Sequence, residues 1–230
     1  MLEIRDLHAW YGESYALHGV ALDVQEGEVV TLLGRNGAGK TTTLRAIMGL
    51  VPRRQGSITY QGRELIAARS DTIARAGIGY CPEERGIFAS LDVTENLLLP
   101  PAVRDGGLDI STIYKLFPNL KERARSQGTK VSGGEQQMLA IARILRTGAK
   151  LLLLDEPTEG LAPVVVQQIG RTIREIKARG FTVLLVEQNF RFAETVADRH
   201  YVMENGRVID MISNQELAGS MDRLHVHLGV

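Results

Sequence analysis

The chain has 230 residues, of which 44% are hydrophobic and 23% are charged, a composition typical of a globular protein with a substantial buried core. Its 27 Lys and Arg residues equal its 27 Asp and Glu residues, and the lack of a basic excess argues against a nucleic-acid-binding protein. Cys81 is the single cysteine, which excludes a disulfide within the chain and suits a reducing, cytosolic compartment. No apolar run reaches the roughly 20 residues of a membrane-spanning helix, and the charged N-terminus argues against a signal peptide.

The first 33 residues are predicted to form strands and turns, because Val20, Leu22 and Val24 alternate with polar residues. Tyr11 lies in this region, ahead of a glycine-rich segment. An aromatic ring in such a place can stack on a nucleobase, which is worth roughly 1–3 kcal/mol. A position in the core or on an edge strand explains Tyr11 equally well, so spacing alone leaves both roles open.

Residues 34–41 have the sequence GRNGAGKT, which matches the phosphate-binding loop G-x-x-x-x-G-K-T. An apolar strand is predicted before the loop at residues 29–33 and a helix after it at 42–50, so the context fits the motif. Glycines let backbone N–H groups surround phosphate oxygens, Lys40 can reach the β- and γ-phosphates, and the Thr41 hydroxyl can ligate Mg²⁺. The predicted ligands of ATP here are Gly34, Asn36, Gly37, Ala38, Gly39, Lys40, Thr41 and Thr42.

The middle of the chain changes from strand-like to helical patterns. Strands are predicted at 56–61 and 77–82, and helices within 63–76, 94–99, 110–116 and 121–126. Glu83 follows Pro82, which ends the second strand. We therefore expect one domain over residues 1–230, in which a helical subdomain (88–130) is inserted into a nucleotide-binding core formed by 1–87 and 131–230.

A second anion-binding element is predicted at residues 131–137, VSGGEQQ. Ser132, Gly133 and Gly134 stand at the start of a helix with a broad apolar face, and a helix N-terminus favours anions. Because the phosphate loop already accounts for one nucleotide, we expect this element to close on the γ-phosphate of ATP held by another subunit.

Two carboxylates end the apolar strand at residues 151–154. Adjacent strand residues point to opposite faces, so Asp155 and Glu156 should have different roles. One carboxylate can support Mg²⁺, and the other can orient or deprotonate the attacking water. An acidic turn without function is the alternative.

The last part of the chain is predicted to contain a helix at 163–179, a strand at 181–186, a helix at 192–198 and a hairpin around Asn205-Gly206. Gln188 follows the strand, on the side where open α/β sheets bind ligands; a loop amide without function is the alternative. His225 and His227 are too few to indicate a metal site and are predicted to be surface or packing residues.

The phosphate loop, the SGG segment and the LLLLDEP segment occur in the order found in ABC-type ATPases, and the chain resembles this family over almost its whole length. The resemblance implies an α/β fold, an ABC-type cassette with an antiparallel β lobe and a helical subdomain. It also implies ATP hydrolysis by two cassettes that enclose two ATP molecules. By this likeness Tyr11 stacks on adenine, Asp155 supports Mg²⁺, and Glu156 is the catalytic base, with Lys40 and Gln188 in contact with the γ-phosphate.

Three positions depart from the usual family pattern. Glu83 stands in place of a glutamine that senses Mg²⁺ and the membrane partner, Ala162 in place of an aspartate, and Gln188 in place of a histidine. A glutamine amide can still hydrogen-bond a phosphate oxygen or water, but it cannot become cationic. These features resemble ATP-binding subunits of bacterial branched-chain amino-acid importers, with urea importers as close relatives.

The importer resemblance implies several partners: a second cassette (a sister subunit, or the chain itself as a homodimer), two integral-membrane permease subunits, and indirectly a periplasmic binding protein. It also implies a peripheral position on the cytoplasmic face of the inner membrane. A soluble ABC ATPase acting on ribosomes or DNA is one alternative, although such relatives usually carry two cassettes. A regulatory subunit with little turnover is another, and the presence of Glu156 argues against it.

Overall fold

The structure is a computed structural model that describes residues 1–217 and 219. Its strands are β1 (Leu2–Tyr11), β2 (Ser14–Val24), β3 (Val29–Leu33), β4 (Arg53–Tyr60), β5 (Arg63–Glu64), β6 (Ile78–Cys81), β7 (Leu151–Asp155), β8 (Thr182–Glu187), β9 (Arg199–Glu204) and β10 (Arg207–Ser213). Its helices are α1 (Lys40–Ile47), α2 (Ser70–Arg75), α3 (Val93–Leu98), α4 (Ile110–Leu116), α5 (Pro118–Glu122), α6 (Gly133–Arg146), α7 (Pro163–Ala178) and α8 (Phe190–Ala193).

Six strands form the central sheet in the order β10-β9-β3-β8-β7-β6. All neighbours in it are parallel except β9 and β10, which form a hairpin. The loops after β3, β7 and β8 therefore leave from the same edge of the sheet. They carry the phosphate loop, the Asp155-Glu156 pair and Gln188, so the topology brings the three predicted motifs together.

The central strands are buried on both faces, which explains their continuous apolar sequences. Along β7, Leu151 and Leu153 join the core beneath the second sheet, while Leu152 and Leu154 join the core beneath the helices. This second sheet is antiparallel, with the order β2-β1-β4-β5. The structure thus confirms the predicted α/β fold with an antiparallel β lobe.

Short helices occupy the segment predicted as a helical subdomain. α3, α4 and α5 bury Val93, Leu97, Ile113 and Leu120 in the same core as α6. The predicted helix at residues 121–126 is wrong, because the chain forms α5 at 118–122 and then turns. Pro118 is the first residue of α5, a position where its fixed φ and missing N–H are tolerated.

The helix predicted at 192–198 is also misplaced, since α8 spans only Phe190–Ala193. Asn189 caps it: the Asn189 side chain accepts a hydrogen bond from the backbone N–H of Phe192 at 3.1 Å. His225 and His227 lie outside the described residues. Within residues 1–217 and 219, no helix is both long and apolar enough to cross a bilayer.

Candidate active site

The phosphate loop runs from β3 into α1, and its glycines satisfy distinct steric demands. Gly37 and Gly39 have φ values of +80° and +106°, in the left-handed region that favours glycine. A Cβ on Gly34 would lie 2.4 Å from the carbonyl oxygen of Met203, so any side chain there would clash with the β9 backbone. The loop therefore needs these glycines in order to form.

A cavity of about 420 Å³ opens over this loop. It is lined by Ser14, Tyr15, Ala16, His18, Asn36, Gly37, Gly39, Lys40, Thr41, Thr42, Glu156, Asn205 and Gly206. Six predicted ATP ligands and the predicted base thus share one cavity. Gly34 and Ala38 are buried beneath it, and they shape the loop without facing the open space.

Lys40 and Glu156 form a buried ion pair at the floor of the cavity. Their side chains are 4% and 8% exposed, and Lys40 Nζ lies 3.1 Å from Glu156 Oε1. Lys40 Nζ also donates to the carbonyl oxygens of Gly34 at 2.9 Å and Arg35 at 3.2 Å. The Lys40 ammonium group, which is predicted to bind phosphate, is therefore held by the predicted catalytic base and by the loop backbone.

Gln188 connects Glu156 to the phosphate loop. Its side-chain Nε2 donates to Glu156 Oε2 and to Asn36 Oδ1, both at 2.7 Å. Glu156 itself has φ of +44°, a left-handed conformation that is uncommon outside glycine. The predicted base thus adopts a strained backbone conformation at the point where three segments meet.

Asp155 occupies the other side of the site. Its Oδ1 accepts from the Thr41 hydroxyl and its Oδ2 from the Tyr80 hydroxyl, both at 3.0 Å. Burial raises the pKa of Asp155, the two hydroxyl bonds oppose that rise, and the charges of Glu156 and Glu83 add to it. The local excess of negative charge and the oxygen donors suit a divalent cation.

No set of three or more His, Cys, Asp or Glu side chains in the described ranges could hold a metal ion. Mg²⁺ commonly uses one or two protein oxygens together with water and substrate phosphates. Thr41 and Asp155 fit that requirement. Glu83 is exposed in the loop after β6, and its part in metal binding stays a prediction.

The aromatic side chains near the cavity differ from the prediction. Tyr11 is 40% exposed and does not line the cavity; it raises the pKa of Arg45 on α1, although less than Tyr80 does. Tyr15 does line the cavity and stacks on Trp10, with ring centroids 4.8 Å apart. Adenine stacking by Tyr11 stays a prediction, and Tyr15 and His18 are cavity residues that the sequence analysis missed.

The missed residues follow from strand pairing. β1 and β2 form a hairpin in which Trp10 pairs with Tyr15 and His8 with His18. Cross-strand partners share a face of the sheet. Predicting a hairpin around Gly12 would therefore have placed Tyr15 and His18 beside the aromatic residues of β1. No motif in the sequence indicates these residues directly.

The SGG segment lies apart from the cavity that holds Lys40. Ser132 caps α6: its Oγ accepts the Glu135 N–H at 3.3 Å, while Glu135 Oε2 accepts the Ser132 N–H at 2.8 Å. A Cβ on Gly134 would lie 2.7 Å from Val165 Cγ1, so this glycine permits close packing of α6 on α7. Neither Ser132, Gly133 nor Gly134 lines the phosphate cavity of its own chain.

Comparisons with known proteins agree with this geometry. The sequence model of the family described as "ABC transporter" matches residues 17–159. The high-affinity branched-chain amino acid transport ATP-binding protein BraG of Pseudomonas aeruginosa is 46% identical over 91% of each chain. The lipopolysaccharide export system ATP-binding protein LptB of Escherichia coli is 34% identical over 99% of this chain and 97% of its own. A solved dimer of a bacterial ABC transporter cassette has a TM-score of 0.82 and 25% identity, over 93% of this chain and 99% of its own.

Proposed function

The chain belongs to the ABC transporter family as an ATP-hydrolysing, ATP-binding subunit, and we propose that it energises an importer of branched-chain or related hydrophobic amino acids. The observation that carries the solute class is the 46% identity over 91% of the chain to a branched-chain amino acid transport subunit. The lipopolysaccharide export subunit of similar length is 34% identical. Urea import is the alternative solute class within the same importer type.

The arrangement of the cavity residues supports different roles for Lys40, Glu156 and Gln188 in ATP hydrolysis. In the arrangement described, Lys40 is paired with Glu156. The γ-phosphate of ATP would take over Lys40, because a phosphate carries more negative charge than a carboxylate. Glu156 would then be free to orient and deprotonate the attacking water, while Gln188, already bonded to both Glu156 and Asn36, would sense the phosphate.

Thr41 and Asp155 would hold Mg²⁺, with Glu83 close enough to influence the charge at Asp155. When bound, this ion neutralises charge on the β- and γ-phosphates during transfer to water. Tyr80 would keep the Asp155 carboxylate aimed at the Thr41 hydroxyl through its own hydrogen bond. The protein contribution is thus a fixed pair of oxygen donors.

A complete site would need a second cassette. Ser132, Gly133 and Gly134 stand at the start of α6, outside the phosphate cavity of their own chain. A helix start of this kind suits a γ-phosphate presented by another subunit. The dimeric cassette structure supports this arrangement, and either a sister subunit or a second copy of the chain would supply the partner.

Permease subunits would bind next to the loop that carries Glu83. Phe88, Leu98 and Leu99 are 49%, 53% and 49% exposed, and a group of large exposed apolar side chains suits a contact with another protein. Binding to permeases here would hold the chain at the cytoplasmic face of the inner membrane, with a periplasmic binding protein acting through the permeases.

Affinity purification of the chain from its own cells in mild detergent, with mass spectrometry of the bound proteins, tests these partners. We expect two apolar membrane subunits and a second cassette. A Leu98→Ser variant, altered at an exposed apolar residue of α3, should retain the second cassette and lose the membrane subunits. Recovery of ribosomal or DNA-bound proteins instead would contradict the importer and favour the soluble ATPase.

A further inference from the structure

Glu187 is a buried carboxylate that the proposed chemistry does not use. It is the last residue of β8 and is 2% exposed. Its Oε1 accepts the Thr158 hydroxyl at 2.8 Å and the Thr158 backbone N–H at 3.3 Å. Its Oε2 accepts the backbone N–H of Asn189 at 3.3 Å. The side chain thus joins the end of β8 to the loop that follows β7.

Keeping a charge at this position is costly. No lysine or arginine in residues 1–217 forms an ion pair with Glu187. Burial raises the pKa of Glu187 to about 7; hydrogen bonds from Thr158 and Asn189 oppose the rise, and the charge of Glu156 adds to it. An apolar residue would avoid this desolvation cost, so packing alone does not account for a carboxylate here.

The Glu187 bonds complete a closed ring around the proposed base. From Glu156 the chain runs through Pro157 to Thr158, and the Thr158 hydroxyl donates to Glu187. The next residue, Gln188, donates back to Glu156 Oε2 at 2.7 Å. The backbone N–H of Glu156 also bonds the carbonyl oxygen of Val186 at 3.0 Å. Both loops are therefore fixed to each other at several points.

This ring surrounds the residue whose backbone is strained. Glu156 has φ of +44°, and a left-handed conformation is unfavourable for a residue that carries a Cβ. Such a conformation persists only where neighbouring contacts enforce it. The Thr158–Glu187 bond acts on the peptide segment just after Glu156, where it can enforce that conformation.

We propose that Glu187 is a positioning residue for ATP hydrolysis: through Thr158 it holds Glu156 in its left-handed conformation and makes the loop after β7 move together with Gln188. The inference rests on the proposed role of Glu156 as the catalytic base. It assigns no contact with ATP to Glu187 or Thr158. Its consequences should therefore appear in turnover rather than in nucleotide binding.

Steady-state ATPase kinetics of the assembled complex test this role. Thr158→Val keeps the shape of the side chain and removes the hydroxyl donor, and Glu187→Leu keeps a buried side chain of similar size and removes both acceptor oxygens. We expect each to lower kcat about tenfold or more, with KM for ATP changed less than about threefold. Thr158→Ser restores the donor and should return kcat to within about threefold of the wild-type value.

Thr172→Val is the matched control. Thr172 is 2% exposed and its hydroxyl donates to the Gln168 carbonyl oxygen at 3.1 Å within α7. This variant also loses one hydroxyl bond, but the bond partner, Gln168, does not belong to the ring. We expect its kcat to stay at the wild-type level. Equal losses in Thr158→Val and Thr172→Val would mean that general destabilisation, and not positioning, explains the effect.

A second background separates this inference from the proposed function. In Glu156→Gln, Thr158→Val should lower the residual turnover no further, because residues that act as one unit are not additive. If Glu156→Gln leaves turnover unchanged, the role of the base fails and the positioning role fails with it. If Glu156→Gln abolishes turnover while Thr158→Val and Glu187→Leu retain wild-type kcat, only the positioning role is overturned.

Discussion

Replacing Glu156 by Gln should allow ATP to bind but prevent its hydrolysis. The ion pair between Lys40 and Glu156 allows the size of the effects on stability and on ATP affinity to be estimated. The variant removes the proposed base, and a positioned base contributes roughly 10²–10⁴-fold in rate. It also removes the negative partner of Lys40, which is 3.1 Å away with both side chains at most 8% exposed. Both consequences follow from one substitution of nearly equal volume.

The stability of the nucleotide-free protein should fall. Breaking a buried ion pair by removing one partner costs about 3–5 kcal/mol. Lys40 keeps its bonds to the Gly34 and Arg35 carbonyl oxygens, and the Gln amide oxygen can still accept a hydrogen bond. We therefore expect a smaller loss, about 1–3 kcal/mol, or about 2–12 °C in Tm for a chain of this size.

The free energy of unfolding that the variant loses should appear as tighter binding of ATP. In the wild type, ATP has to displace Glu156 from Lys40, whereas in the variant Lys40 has no anionic competitor. A pair worth about 1–3 kcal/mol corresponds to about 5- to 150-fold tighter ATP binding. Denaturant unfolding without nucleotide and equilibrium binding of ATP measure the two quantities independently.

Glu26→Gln is the control, because Glu26 is an exposed carboxylate in the turn between β2 and β3, at the opposite end of β3 from the phosphate loop, and forms no ion pair with Lys40 in the described residues. This control should change neither the free energy of unfolding nor the free energy of ATP binding by more than a few tenths of a kcal/mol. Tighter ATP binding in Glu156→Gln without a matching loss of stability would refute the displacement argument. So would unchanged affinity combined with lost turnover.

Three further predictions concern the rest of the site. Ser132→Arg should leave ATP binding to the single chain intact and block ATP-driven dimer formation, measured by light scattering in the Glu156→Gln background; dimers at the parent level would count against the composite site. Tyr15→Ala should weaken ATP binding about 5- to 150-fold if the ring supports the base, whereas a loss confined to Tyr11→Ala would assign base stacking to Tyr11 alone. Glu187 is expected to make stability pH-dependent: its pKa is raised from 4.5 to about 7, so the folded state binds the proton more tightly and loses about 3 kcal/mol as pH rises from 4.5 through 7. Unfolding free energies from pH 5 to 8 should show this decline in the wild type and a flatter profile in Glu187→Gln; parallel profiles would contradict it.

The sequence predicted the features that local chemistry determines. The phosphate loop, the carboxylates after β7 and the hairpin at Asn205-Gly206 each depend on a short run of residues. Asn205 and Gly206 both have positive φ, at 47° and 73°, as a two-residue hairpin of this type requires. These predictions hold because no distant contact competes with the local preference.

Features that depend on contacts between distant segments could not be predicted from the sequence. Gln188 forms two hydrogen bonds, one to Glu156, 32 positions away, and one to Asn36, 152 positions away. Only the order of the strands in the sheet brings these residues together. The ring through Glu187 depends on the same register between β7 and β8. The predicted helix boundary was wrong at Asn189, where a side-chain cap sets the start of α8. Such a cap is a geometric contact that amino-acid composition does not reveal.

Amino-acid uptake tests the central claim most directly. A Pseudomonas aeruginosa strain that lacks BraG can be supplied with the wild-type chain, the Glu156→Gln variant or the Glu26→Gln control, and uptake of radiolabelled leucine measured at equal expression. We predict that the wild type and the control restore uptake and that Glu156→Gln does not. Restoration by Glu156→Gln would contradict an ATPase that drives import, and failure of all three, with the wild-type chain folded and bound to the membrane subunits, would contradict the branched-chain amino-acid importer.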